Sequence, residues 1–244
     1  MGNGGTSVGF RRNVRMRWLD EAAVLRAETS NVGEFRARLD DIVGQEITSP
    51  VNRRMALDIL VNVWVKSEHV VPQLWEHAMR RFPSVAGSSD RVWLHYGLTL
   101  VAYPFFRDAA AAIGQVARFG DPVLTGVIKQ RLAATRGEMG SIDKATERVV
   151  FSLRDWGLLV DADRRSTYRP VEPRLSVEDR DVESWLLACV LHAHPAEEIP
   201  FADLIRLPET FPFRLAVGLD DIRRSPHLAV QRQGSGWDMV RAIR

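Results

Sequence analysis

Leu228-Ala-Val-Gln-Arg-Gln233 and Trp237-Asp-Met-Val-Arg-Ala-Ile243, joined by Gly234-Ser-Gly236, decide how this chain is read. Apolar and polar residues alternate on both sides of the glycines, and glycine supplies the positive φ angles of a tight turn, so the stretch predicts a β-hairpin. Just upstream, Pro212 to Arg224 reads as an amphipathic helix with Phe213, Leu215, Ala216, Leu219 and Ile222 inward, and Phe201 to Leu207 as a short support helix. A helix running into a hairpin is the pattern of a winged helix, whose helix can lie in a DNA groove while the hairpin reaches the backbone. Arg214, Arg223, Arg224 and the hairpin residue Arg232 are the candidate phosphate contacts. Asp220 and Asp221 on the same helix repel a phosphate backbone, so a protein partner suits this unit as well.

The same pattern occurs earlier, from Ile142 to Val171. Ser141 or Asp143 caps a helix that turns Ile142, Val149, Val150, Leu153 and Trp156 inward and leaves Lys144, Thr146, Glu147 and Arg148 outside. Gly157 ends it. Leu158-Leu-Val160 and Thr167-Tyr-Arg-Pro-Val171 then flank a polar loop, Asp161 to Ser166, with Arg164 and Arg165 at its tip. Lys144, Arg148, Arg164 and Arg165 therefore join the candidate contacts. A hairpin using charge to protect a sheet edge has the same appearance, so fold alone does not decide function.

Upstream of both units, residues 15–137 read as almost wholly helical. Trp18, Ala22 and Leu25 mark one helix face, and Val32, Phe35, Leu39 and Ile42 a second. Ser49-Pro50 opens a third helix, with Arg53 and Arg54 in its first turn. Further helices are expected over 69–81, 90–102 and 105–118, and Asp121-Pro122 starts another that runs to Thr135. Glycine on both sides of Glu138-Met139 marks a boundary. The expected organisation is a flexible basic tail (1–14), a helical domain (15–137), a winged-helix-like unit (138–175) and a C-terminal winged-helix-like domain (176–244). The fold class is mainly α, with short β-hairpins. No repeat at a fixed period is evident.

The 244 residues are 45% hydrophobic, enough to bury a substantial core, and the net charge is only +2. The charge is unevenly spread: Arg11, Arg12, Arg15 and Arg17 precede the first acidic residue, Asp20, an arm suited to a polyanion. Lysine occurs only at Lys66, Lys129 and Lys144, so 30 of the 33 basic residues are arginine. Arginine suits forked contacts to phosphate, although a GC-rich genome produces the same bias. One cysteine, Cys189, rules out an intramolecular disulfide. With no signal-like apolar stretch, a cytoplasmic protein is expected, and the apolar run Leu98 to Phe106 is too short to cross a bilayer.

Catalytic signals are weak throughout. Cys189, His192, His194, Glu197 and Glu198 match no zinc spacing, and His192 and His194 cannot share a helical face. The glycines between Gly2 and Gly9 lack the Lys-Ser/Thr ending of a phosphate loop. Asp161 with Asp163, and the doublets Asp40-Asp41 and Asp220-Asp221, have no nearby lysine that would suit a nuclease. His69, His77 and His95 fall on predicted helices, where packing and surface roles are commoner than catalysis. No enzyme activity, cofactor or metal is expected.

Thr146-Glu-Arg-Val-Val-Phe-Ser-Leu-Arg-Asp-Trp-Gly-Leu-Leu159, followed by a hairpin and Pro170-Val-Glu-Pro173, resembles the BrxA family of the BREX phage-defence systems. The basic start and helical first half fit the same layout, so the resemblance covers about three quarters of the chain in order of elements. It implies a small non-enzymatic component, with a helical part similar to the NusB fold and winged-helix character. Such a protein binds double-stranded DNA beside a methyltransferase, an ATPase and a phosphatase-like protein. It carries over no catalytic residue. The alternatives are an adaptor that docks on a larger defence enzyme and a transcriptional regulator of the defence operon.

Overall fold

The computed structural model describes residues 9–137, 140–234 and 236–243. Residues 1–8 of the expected tail, Glu138-Met139 of the expected boundary and Ser235 of the hairpin turn lie outside the described residues. The fold is mainly helical, with two small antiparallel sheets late in the chain.

The first half consists of α1 (Met16–Glu28), α2 (Val32–Gly44), α3 (Pro50–Val61), α4 (Ser67–Val70), α5 (Pro72–Val85) and α6 (Arg91–Ala102). Asn31 caps α2 by accepting hydrogen bonds from the backbone N–H groups of Gly33 and Glu34. The helix expected over 69–81 is divided, because Val71 precedes proline and is driven out of the helical region, to φ −140° and ψ 63°. Between α3 and α4 the chain widens into a π-helical turn, Asn62–Lys66, where the Ser67 hydroxyl donates to the Asn62 carbonyl.

Next come α7 (Pro104–Ala117), β1 (Val123–Leu124), α8 (Thr125–Arg136), α9 (Ile142–Asp155), β2 (Leu159–Asp161) and β3 (Thr167–Pro170), with strand order β1-β3-β2. This is a winged-helix unit, and it starts well before residue 138. Asp121-Pro122 does not open a helix: Val123 and Leu124 pair with Tyr168 and Thr167 as the third strand, with the Val123 side chain buried. The helix begins only at Thr125, whose N–H donates to the Ser166 carbonyl at 3.1 Å and ties it to the wing turn.

The second unit comprises α10 (Arg180–Ala193), β4 (Glu198–Pro200), α11 (Phe201–Leu204), α12 (Leu219–Arg224), β5 (Leu228–Gln233) and β6 (Trp237–Ala242), with strand order β4-β6-β5. Its connectivity is that of the first: helix, strand, two helices, hairpin, with the hairpin's second strand in the middle. The chain thus repeats a connectivity that its sequence does not display as a period. The hairpin register places Val230 opposite Val240 and Gln233 opposite Trp237, as the alternation predicts.

The helix expected over Pro212 to Arg224 is reduced to its last six residues. Phe213 instead bridges Leu175, with the Leu175 N–H donating to the Pro212 carbonyl and the Arg214 N–H to the Leu175 carbonyl. The N–H groups of Ala216 and Val217 donate to Oε2 of Glu183, at 2.8 and 2.6 Å. A buried carboxylate and the backbone of Leu175 satisfy these groups, so the segment has no need of helical hydrogen bonds. Leu215 and Ala216 are therefore not the inner face of a helix.

Both units share one hydrophobic core with the helices. Residues Val182 to Leu191 of α10 are all buried, and Trp185 lies against Gly97 of α6 so closely that a Cβ there would be 2.6 Å from the indole ring. The indole N–H donates to the Leu74 carbonyl on α5. At the other end of the chain, Phe10 packs against Tyr103 and Phe106. The Val14 N–H donates to the Ser152 hydroxyl, and the Trp156 indole donates to the Val14 carbonyl. This segment therefore packs against the start of α7 through Phe10 and along α9 through Val14. Phe10 and Val14 are buried in the core, which corrects the reading of residues 10–14 as tail.

His77 on α5 and His227 beside β5 share a hydrogen bond at 3.1 Å, and the His77 ring stacks on Trp185. Burial lowers His77 to about 4 and also lowers His227; Asp181 opposes both shifts. A histidine depressed below its unfolded value stabilises the fold fully above that value, near 6.5, and this stability is lost as pH falls toward the folded value. Between pH 6.5 and about 4 the His77 site is expected to remove about 1.4 kcal/mol per pH unit. His77→Gln should flatten the urea midpoint against pH in that window; an unchanged slope counts against the buried pair.

Candidate nucleic-acid interface

Helix α9 holds the position of a recognition helix in the first unit. Ala145, Val149, Val150 and Leu153 anchor it in the core. Lys144 and Arg148, four residues apart, share one outer face, and Asp143, Glu147 and Arg154 occupy another. The acidic face is partly neutralised: Lys129 of α8 sits 2.7 Å from Glu147 and 4.0 Å from Asp143. Arg154 pairs with Asp161 at 2.5 Å and lies over the Tyr168 ring. Lys144 and Arg148 have no carboxylate partner among the described residues. Arg12, carried by the segment packed along α9, joins them: partial burial, then the Arg12 charge, lowers the affinity of Arg148 for its proton. Toward its C-terminus the helix is closed off, since the Met16 N–H donates to Asp155 and Arg15 reaches the same carboxylate at 3.8 Å. Only the N-terminal half of α9 presents an open cationic face.

The wing of this unit carries Arg164 and Arg165, both exposed and both without an ion pair among the described residues. Ser166 closes the turn at φ 61°, a left-handed angle that permits the tight bend, and the Thr167 hydroxyl donates back to the Arg164 carbonyl. Lys144, Arg148, Arg12, Arg164 and Arg165 are thus brought onto one winged unit as free positive charge.

The remaining candidates divide. Arg15 and Arg17 both grip Glu46, at 2.6 and 2.7 Å, and Arg53 holds Asp40 at 3.1 Å. Arg11, on the N-terminal segment near Tyr103, and Arg54, on α3, are exposed without an ion pair among the described residues. In the second unit, Arg223 is held by Asp220 and Asp238 and Arg224 by Asp221, so α12 neutralises its own charge. Arg232 is exposed on the β5–β6 hairpin opposite Asp238, and Trp237 on the same hairpin is 62% exposed. Arg214 leaves the helix that was to carry it and joins Arg118, Arg174 and Arg206 around a cleft. Sequence reasoning passed over those three because three distant segments, 114–118, 174 and 205–215, meet there.

Each residue of Leu153 to Leu159 has a structural role. Leu153, Trp156, Leu158 and Leu159 are buried, and Gly157 takes φ 73° to turn helix into strand. Cys189 is buried, which pushes its thiol well above its usual range. Among the described residues, no group of three or more His, Cys, Asp or Glu side chains is placed to hold a metal ion, and no helix is long and apolar enough to cross a membrane. No protein-family model, curated protein or solved structure matches this chain.

Proposed function

We propose that this chain binds double-stranded DNA through its first winged unit, as a non-enzymatic component of a BREX-type defence system. The observation that carries the DNA reading is the uncompensated charge of Lys144 and Arg148 on the open half of α9, with Arg12 beside them and Arg164 and Arg165 on the wing of the same unit. In a winged helix these two elements face the groove and the flanking backbone. The defence role is supported by the sequence resemblance through Leu153 to Leu159 and by the mainly helical, winged architecture.

Fluorescence anisotropy with a random duplex of ~30 base pairs, across a salt series, tests the reading, since each neutralised phosphate steepens the log-log slope by ~0.9. Replacing Lys144, Arg148, Arg164 and Arg165 together by alanine is expected to flatten that slope by roughly 3.6 units and weaken binding at least tenfold at low salt. Replacing Arg223 and Arg224 should change little, because both are already paired within the protein. Equal binding by the quadruple variant and the unaltered chain would exclude this surface.

The second unit favours another reading for itself, that of an adaptor. Its α12 arginines are internally neutralised while the hairpin exposes Trp237, a combination suited to a protein partner more than to a phosphate backbone. Trp237→Ala should then weaken a complex with a co-encoded defence protein and leave duplex affinity unchanged; loss of both would place DNA on the hairpin.

A further inference from the structure

A cleft of about 430 Å³ opens where the C-terminal end of α7 meets the segments flanking the 3-10 turn Pro208–Thr210. Leu207, Pro208 and Leu215 contribute apolar surface to it, and no carboxylate lines it. Arg118, Arg174, Arg206 and Arg214 surround it, all four exposed, and none of their guanidinium groups has a hydrogen-bond or ion-pair partner among the described residues. Other exposed arginines hold acids, Arg38 with Glu28 and Arg224 with Asp221, and those that do not, such as Arg164 and Arg165, stand on a convex hairpin and not around a concavity. Four uncompensated cations around one concavity repel each other, and an anion bearing more than one charge relieves that repulsion.

The cleft is a product of the fold, since its arginines come from three separate stretches of chain: Arg118 from the end of α7, Arg174, and Arg206 with Arg214 from the 205–215 stretch. Gly114 brings the backbone of α7 against Pro208 and so sets its depth. A guanidinium fork matches the oxygens of a phosphate, and the volume is that of a small-molecule site. A duplex presents its phosphates on a convex surface and reaches the rim alone; a small molecule reaches the apolar lining as well. We propose that this cleft binds a small phosphorylated organic molecule, with nucleoside polyphosphates the class that fits: phosphates on the arginines, the uncharged body against Leu207, Pro208 and Leu215. This goes beyond DNA binding by α9 and its wing and does not depend on it.

Isothermal titration calorimetry of the full chain at low salt, with ATP, ADP, AMP and pyrophosphate, tests the site. One ATP per chain is expected, with affinity falling as phosphates are removed and pyrophosphate weaker than ADP. Arg174→Ala with Arg214→Ala, and separately Arg118→Ala with Arg206→Ala, should each cost about tenfold or more in ATP affinity. Neither pair should shift the thermal midpoint of the free protein, and duplex affinity should stay as it was. Absence of binding by all four probes at millimolar concentration overturns the proposal, as does binding that both double variants retain. Pyrophosphate binding as tightly as ADP overturns the organic ligand. Loss of duplex affinity in the variants, with no nucleotide bound, assigns the arginines to DNA and overturns the site, while leaving the reading of α9 to its own titration.

Discussion

Gly114→Ala is expected to destabilise the protein by roughly 3 kcal/mol, seen as a fall of roughly 10 °C in the thermal midpoint. A Cβ at this position would stand 1.8 Å from the Pro208 carbonyl oxygen and 2.6 Å from its carbon. Both are backbone atoms, so no rotamer change relieves the contact, and the whole 3-10 turn must withdraw from α7. That turn has more than packing at stake: the buried Tyr96 hydroxyl donates to the Glu209 carbonyl at 2.6 Å, and Arg107 reaches the buried Glu209 carboxylate at 3.3 Å. Displacement breaks these bonds in the interior, where an unsatisfied partner costs most. An unchanged midpoint would show that helix and turn do not approach this closely.

Glu183→Ala is expected to be at least as damaging, at about 3–5 kcal/mol, because it removes one partner from a buried charged network. The carboxylate is fully buried and accepts from the Ala216 and Val217 N–H groups and from Arg180 at 2.7 Å. Without it, the buried Val217 N–H is left unanswered, the part-buried Ala216 N–H loses its acceptor, and the extended run toward α12 loses its anchor. Glu183→Gln separates hydrogen bonding from charge, since its amide oxygen can still accept both N–H groups while its NH₂ faces the Arg180 guanidinium. It should lose roughly half as much. Urea midpoints for the two variants read the difference; equal midpoints would mean that the charge, and not the acceptor, holds the segment.

Both hairpins were legible in the sequence because their information is local: alternation across Leu228 to Gln233 and Trp237 to Ala242 fixes which residues face inward, and glycine marks the turn. Strand β1 was not, since two residues carry no period and Val123 becomes a strand only by pairing with Tyr168, more than forty residues on. The truncation of the expected 212–224 helix has the same origin, in the partners Leu175 and Glu183. For the interface, residue type named the cations and distance along the chain hid their state. Arg223 and Arg224 carry visible acids three residues away, at Asp220 and Asp221, but nothing near Arg17 or Arg53 announces Glu46 or Asp40. The cleft was invisible for a related reason, as its arginines converge only after the two units have packed.

The segment that lies along α9 also bears on the order of assembly. Val14 must wait for Ser152, 138 residues later, before its N–H has a protein partner. During synthesis at about 5–20 residues per second, residues 10–16 therefore leave the ribosome several seconds before the surface they cover exists. A contact of such long range adds loop-closure cost to folding and belongs to its late stages. The apolar Phe10 and Val14 are thus exposed during the interval in which the helices of the first half are already able to form.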